Sequence, residues 1–220
     1  MTSWTALRTG FNAFTQRLPL LMGAWIVIIV CNQVINLLIP DSLFWMESML
    51  PMVVLAPLYA GQHLLALRVV RREPVVFTEL FTGLSKWWPI LLANLIVSVL
   101  TLLGFVAVII PGIIVALMYS FVLIRFLDPG KGTRAVKVSQ ALRESAQITR
   151  GYRGTLFGIG FLLTIPILLW TFFLMLPSDI PINPWIADII AVFGGFLFIG
   201  PVQATSYMVV YDHALKHPRG

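Results

Sequence analysis

The 220-residue sequence predicts an all-α, polytopic membrane protein: six transmembrane helices arranged as three hairpins, with amphipathic helices at the cytoplasmic interface. Three observations carry this prediction. The chain is 59% hydrophobic and only 11% charged, against about 25% charged residues in soluble domains. Its apolar residues fall into runs near the roughly 20 residues of helix that cross a bilayer. A single threading places all fifteen Lys and Arg on one side, counting Arg125 at the inner end of a span. Cytoplasmic loops impose that bias.

The elements follow in order along one domain, 1–220. "TSWTALRTGFNAFTQR" (2–17) carries Trp4, Leu7, Phe11 and Phe14 at helical spacing and predicts a helix lying in the inner interface. The first span covers about 18–39. It is too long for the apolar region of a signal peptide, and Pro40-Asp41-Ser42 is not a small-residue cleavage site, so it is expected to stay uncleaved. The second span, about 48–67, ends at Arg68, Arg71 and Arg72. "PVVFTELFTGLSKWW" (74–88) repeats the interfacial pattern with Phe77, Leu80, Phe81 and Leu84, and Trp87-Trp88 is placed to anchor it in the headgroups.

The run from Trp87 to Leu127 is the next problem. As one helix its 41 residues would measure roughly 60 Å at 1.5 Å per residue. That is about twice the hydrocarbon core. The chain must therefore turn, and Pro111-Gly112 suits the two central positions of a type II turn. Turning there gives a third span, about 88–110, and a fourth, about 112–127. A single kinked crossing would instead split the basic residues across the membrane. The turn has only apolar neighbours, so it is expected to lie below the outer headgroups, covered by adjacent helices.

"KGTRAVKVSQALRESAQITRG" (131–151) predicts a third interfacial helix, with Ala135, Val138, Leu142 and Ala146 as its stripe. The fifth and sixth spans follow at about 155–176 and 185–210. Both termini then lie in the cytoplasm, and 40–48 and 177–184 are short outer loops. The plan of interfacial helix, span, turn and span occurs three times. Phe11, Pro19 and Leu21 align with Phe81, Pro89 and Leu91, a hint of parallel duplication.

Function is less legible. The net charge of +6 and pI near 9.9 need no nucleic acid, because cytoplasmic-loop enrichment accounts for them. Cys31 is the one cysteine, so no intramolecular disulfide forms, and it reads as an inert thiol. The sequence lacks a Gly-rich phosphate loop, His-Glu-x-x-His and Gly-x-Ser-x-Gly. No enzyme activity, cofactor or metal is expected. Gly154, Gly158 and Gly160 read as small residues that allow close helix packing.

Polar residues inside spans are the place to look for function. Asn32 and Asn36 share a face at i, i+4, Gln62-His63 lies in the second span, Asn94 and Ser98 share a face in the third, and Gln203, Thr205 and Ser206 lie in the sixth. They read as interhelical hydrogen-bonding groups; a polar path of Asn32, Asn36, Asn94 and Gln203 is the sharper alternative. His63 reads as packing or interfacial. Asp188, following Asn183 and Pro184, reads as part of a helix start. Arg134, Lys137 and Arg143 are the candidate contacts for anionic lipid headgroups or a partner. The leading expectation is a non-enzymatic protein that binds lipid or a partner, either another membrane protein or a second copy of itself, as an envelope or accessory component. A small-solute transporter or channel is the alternative.

The stretch "IIPGIIVALMYSFVLIRFLDPGKGTRAVKVSQALRESAQITRGYRGTLFGIGFLL" (109–163) resembles the YciC-like and related bacterial multi-spanning families of unknown function. The resemblance rests on Pro111-Gly112-Ile113-Ile114, Tyr119/Phe121, Asp128, Ala141-Leu142-x-x-Ser145 and Gly151, with "FTELFTGL" (77–84) in support. It implies a six-helix bacterial inner-membrane protein and brings no catalytic residues with it. Physically, Ser145 is expected to bond a neighbouring helix end, and Gly151 to end its helix in a left-handed cap.

Overall fold

The computed structural model describes residues 1–39, 50–51, 53–128, 136–175 and 197–217. Among these residues the structure is helical, with no β-strand. The predicted outer loops, Pro40-Asp41-Ser42, Asp188 and Arg134 lie outside the described residues.

The bundle is organised around α3 (Ala56–Arg71), which is buried along most of its length. One side of α3 gives Ala56, Ala60, Leu64 and Leu67 to one apolar core, and another gives Leu58, Leu65 and Val69 to a second. Pro57 sits in its first turn, where a missing N–H costs nothing. It stops at Arg72, which takes a left-handed conformation (φ 59°, ψ 30°).

Small residues bring other elements against this axis. The segment Phe77–Lys86 is a 3-10 helix, not the α-helix its spacing suggests. It packs backbone to backbone on α3: a Cβ added to Gly61 would overlap the Leu80 carbonyl, and one on Gly83 would overlap that of Pro57. Leu80 is therefore buried, while Phe77, Phe81 and Leu84 face outward. The N-terminal helix α1 (Ser3–Gln16) is likewise more than an interfacial helix. Ala6, Gly10 and Ala13 form a small-residue face, and Gly10 seats directly on Ser206. Phe14 is buried, but Trp4 and Phe11 of the predicted stripe are exposed.

α2 (Leu18–Leu37) buries only Leu21, Ala24 and Ile28. α4 (Trp87–Ala107) buries only Ile90, Ala93 and Asn94. The chain then folds back, but not at the expected residues. The break is the extended Val108 (φ −167°, ψ 152°), and Pro111-Gly112 lies within the first turn of α5 (Ile109–Met118). The physical reason is that the first N–H groups of a helix have no intrahelical acceptor, so proline is tolerated there. Gly112 serves close packing: a Cβ on Gly104 would come within 2.8 Å of the Gly112 Cα. The expected covering is also absent among the described residues. Val106, Val108, Ile109 and Ile110 stand exposed at the tip.

After α5 the backbone is irregular through Phe121, and α6 (Val122–Arg125) is one short turn. α7 (Val138–Thr149) repairs this interruption. Ser145 Oγ donates to the Met118 carbonyl at 2.9 Å and accepts from the Phe121 N–H at 3.2 Å. Thr149 Oγ1 also donates to Met118, at 3.3 Å. Ser145 thus bonds a neighbouring helix end as its spacing suggested. Gly151, at φ 83°, gives the left-handed bend between α7 and α8 (Arg153–Met175). α9 (Leu197–Lys216) packs against α1, α2, α3 and α8.

Two stretches are long and apolar enough to cross a membrane, Leu18–Leu37 and Phe77–Ala107, with mean hydropathies of 2.1 and 2.5. A third arises if Val138–Thr149 and Arg153–Leu169, bent by 84°, form one span. The six expected spans are not all met on this measure. α3 has 16 residues and α5 has 10 before its helix breaks. The first part of the expected span 185–210 lies outside the described residues.

Candidate functional site

Charged side chains at the C-terminal ends of α3, α6 and α9 and from the middle of α7 converge on one cluster. Arg71 closes α3, and its Nε donates to Asp212 Oδ1 at 2.9 Å while Nη1 reaches Asp128 Oδ1 at 3.2 Å. Arg125, with a side chain 2% exposed, pairs with Glu144 through Nε at 2.8 Å and also through Nη2. Its Nη1 donates to the Tyr211 hydroxyl at 2.8 Å, and that hydroxyl donates to Asp128 Oδ2 at 2.6 Å. Lys216 holds the other oxygen of Asp212 at 2.6 Å. Nearby, Arg68 pairs with Glu79, tying α3 to the 3-10 helix.

The arrangement follows from burial. Asp128 has a side chain 1% exposed. An isolated buried charge is costly, so it persists only when paired and hydrogen-bonded. Burial alone would raise the Asp212 pKa. The hydrogen bonds from Lys216 and Arg71 outweigh it and hold the group below the ordinary carboxylate value. Burial, and then the neighbouring Asp128 carboxylate, push the Tyr211 hydroxyl well above its ordinary value, against the pull of Arg125. Burial opposes the charge on Arg71, yet Asp212 and Asp128 hold its pKa above the usual value. The cluster is a clamp of mutually neutralised groups, and it ties four helices together.

The clamp changes the character of the remaining surface around it. Glu79, Asp128, Glu144 and Asp212 all have cationic partners within the protein. Arg8, Arg17, Arg72, Lys137, Arg143 and Arg150 are exposed. Lys137 immediately precedes α7 without capping it through its side chain, and Arg143 lies away from the face that buries Ala141, Ser145 and Thr149. Arg17 and Arg72 line an open cavity of about 330 Å³ with Gln16, Val69 and Glu73.

A second cavity, of about 360 Å³, lies between α2, α3, α5 and α9. Trp25, Tyr59, Gln62, His63, Gln203 and Tyr207 are among its walls. Of the four residues expected to form a polar path, only Gln203 reaches it. Asn32 and Asn36 are partly buried on α2, and the Asn36 Oδ1 is buried with no hydrogen-bond partner. Asn94 is buried on α4. The structure thus brings Gln203 together with Gln62 and His63, not with the three asparagines. The aromatic members, Trp25, Tyr59 and Tyr207, are not among the residues singled out from the sequence. Their signal was position, each on a span one or two turns from a polar neighbour.

Among the described residues no group of three or more His, Cys, Asp or Glu is placed to hold a metal ion. Cys31 is a partly buried free thiol. Comparison of the chain with family models, with curated proteins and with solved structures finds no match.

Proposed function

We propose that this chain is a six-span bacterial inner-membrane protein with both termini in the cytoplasm. Its inner face binds anionic lipid headgroups, as a non-enzymatic envelope or accessory component. One observation carries the reading. Four inner carboxylates are neutralised inside the clamp, while Arg8, Arg17, Arg72, Lys137, Arg143 and Arg150 stay exposed. The exposed inner surface is therefore enriched in positive charge beyond what composition indicates. Each basic residue near an anionic leaflet contributes about 1 kcal/mol.

Two further features support it. Trp4, Phe11, Phe77, Phe81, Trp87 and Trp88 are exposed apolar side chains on elements beside this surface. Tryptophan and other apolar side chains at that level suit the interface between headgroups and acyl chains. The resemblance of 109–163 to the YciC-like families agrees with the inner-membrane assignment.

The test uses the full chain reconstituted in vesicles of phosphatidylcholine with 30% brominated phosphatidylglycerol, read by tryptophan quenching. Arg134→Gln/Lys137→Gln/Arg143→Gln and Arg17→Gln/Arg72→Gln are expected to reduce the preference for the anionic lipid. Unchanged preference in both combined variants overturns the reading. Retained lipid preference with loss of a co-purifying protein would assign the surface to a partner instead.

A further inference from the structure

The lipid-facing surface makes no use of the cavity between α2, α3, α5 and α9. We infer that this cavity is a binding site for a small uncharged molecule with a flat apolar body and a hydrogen-bonding oxygen.

Charge comes first. Among the described residues the lining contains no Lys, Arg, Asp or Glu. The nearest charge along α3 is Arg68, six residues from Gln62 and already paired with Glu79, about 9 Å away at the helical rise. An ion in the cavity would have no adjacent counter-charge and would bear the full cost of desolvation.

The polar groups are unusual for packing alone. Gln62 is 2% exposed, and its Nε2 has no hydrogen-bond partner. Leaving such a donor unpaired costs about 1–3 kcal/mol, so an arriving oxygen acceptor gains that much recognition. Ser120 commits its proton to the Ala116 and Leu117 carbonyls at 3.1 and 3.0 Å, and so presents lone pairs. Gln203 is hydrogen-bonded to Tyr207 on the same helix.

The apolar wall is equally specific. The Trp25 and Tyr59 rings lie 6.1 Å apart, tilted by 59°. The Trp25 indole lies across Gly200, where any Cβ would overlap the ring. Aromatic walls with a few convergent polar groups are the usual make-up of small-molecule sites, and about 360 Å³ falls at the lower end of their range of roughly 300–1,000 Å³. The four helices that supply these groups are far apart in sequence, so the fold assembles the site.

Benzyl alcohol is a suitable probe, with benzoate and benzylammonium as charged counterparts of the same shape. The full chain carrying Cys31→Ser and Ala116→Cys, in nanodiscs, is treated with N-ethylmaleimide; Ala116 lines the cavity and supplies no polar side chain to it. Benzyl alcohol is expected to slow modification of residue 116 in a saturable way, while the two ions leave it unchanged. Gln62→Leu removes the unpartnered Nε2 donor and keeps the bulk of the side chain, and about tenfold more benzyl alcohol is then needed for the same protection. Gln203→Leu gives a second, independent weakening. Absence of protection, equal protection by all three probes, or protection unchanged in both Leu variants overturns the inference. The Lys137→Gln/Arg143→Gln variant leaves protection intact, so failure here is separable from failure of the lipid reading.

Discussion

The charged clamp and the tip of the α4–α5 hairpin are held together by opposite means. In the clamp, Arg71, Arg125, Asp128, Glu144, Tyr211 and Asp212 bond one another through buried polar contacts. At the tip, Val106, Val108, Ile109 and Ile110 are exposed, and the hairpin closes by backbone contact at Gly104 and Gly112. In lipid an apolar side chain gains little by leaving its surroundings, so close backbone packing suffices. A charge gains a great deal by finding a partner. Specificity of the fold therefore concentrates in the clamp.

The largest effect should come from breaking the clamp. Arg125→Met leaves Glu144 and Asp128 without their buried cation, and removing one member of such a set costs about 3–5 kcal/mol. Ile110→Ala at the tip should change stability by less than about 0.5 kcal/mol. Thermal unfolding in detergent compares them, and equal losses would erase the distinction. Next in size, Ser145→Ala strips a partner from both the Met118 carbonyl and the Phe121 N–H, for about 1–3 kcal/mol. Its control is Gly154→Ala, where an added Cβ meets open space.

A smaller effect lies in the pH dependence of the clamp. Asp212 titrates below its ordinary 3.8 in the folded protein. Its contribution is present above about pH 4 and is lost as pH falls through the lower folded value. Tyr211 is raised above 10.0. Its contribution is full below pH 10 and is lost as pH rises past that value. Stability should thus fall at both extremes, and Tyr211→Phe should remove part of the alkaline fall while leaving the acid limb. A profile identical to the parent's at high pH would contradict the Tyr211 assignment.

What could be read from the sequence was what local periodicity and charge bias encode. The all-helical class, the reversal between Trp87 and Leu127, the role of Ser145 and the left-handed Gly151 were legible there. Pro111-Gly112 pointed to the reversal but misplaced it by three residues, because proline suits a helix's first turn as well as a turn's second position. The face of α1 was misread because Trp4 and Phe11 dominate any apolar stripe, while Ala6, Gly10 and Ala13 carry the packing. The clamp was hidden for another reason. Arg71 meets Asp212 across 141 residues and Arg125 meets Tyr211 across 86. No periodicity reports contacts that long. The available signal was weaker: Arg71, Arg125, Asp128 and Asp212 all stand at or just past the C-terminal ends of apolar stretches.

The smallest effect in energy is the one on which the functional reading turns. Lys137→Gln and Arg143→Gln should leave unfolding within about 0.5 kcal/mol of the parent, because neither residue belongs to the clamp. Each should still weaken anionic-lipid association by about 1 kcal/mol. The most direct measurement is phosphatidylglycerol preference in brominated vesicles for Arg125→Met beside Arg134→Gln/Lys137→Gln/Arg143→Gln, with stability recorded for both. The predicted result is lost stability with lipid preference kept in the first, and lost preference with stability kept in the second. Intact preference in the triple variant would contradict the account.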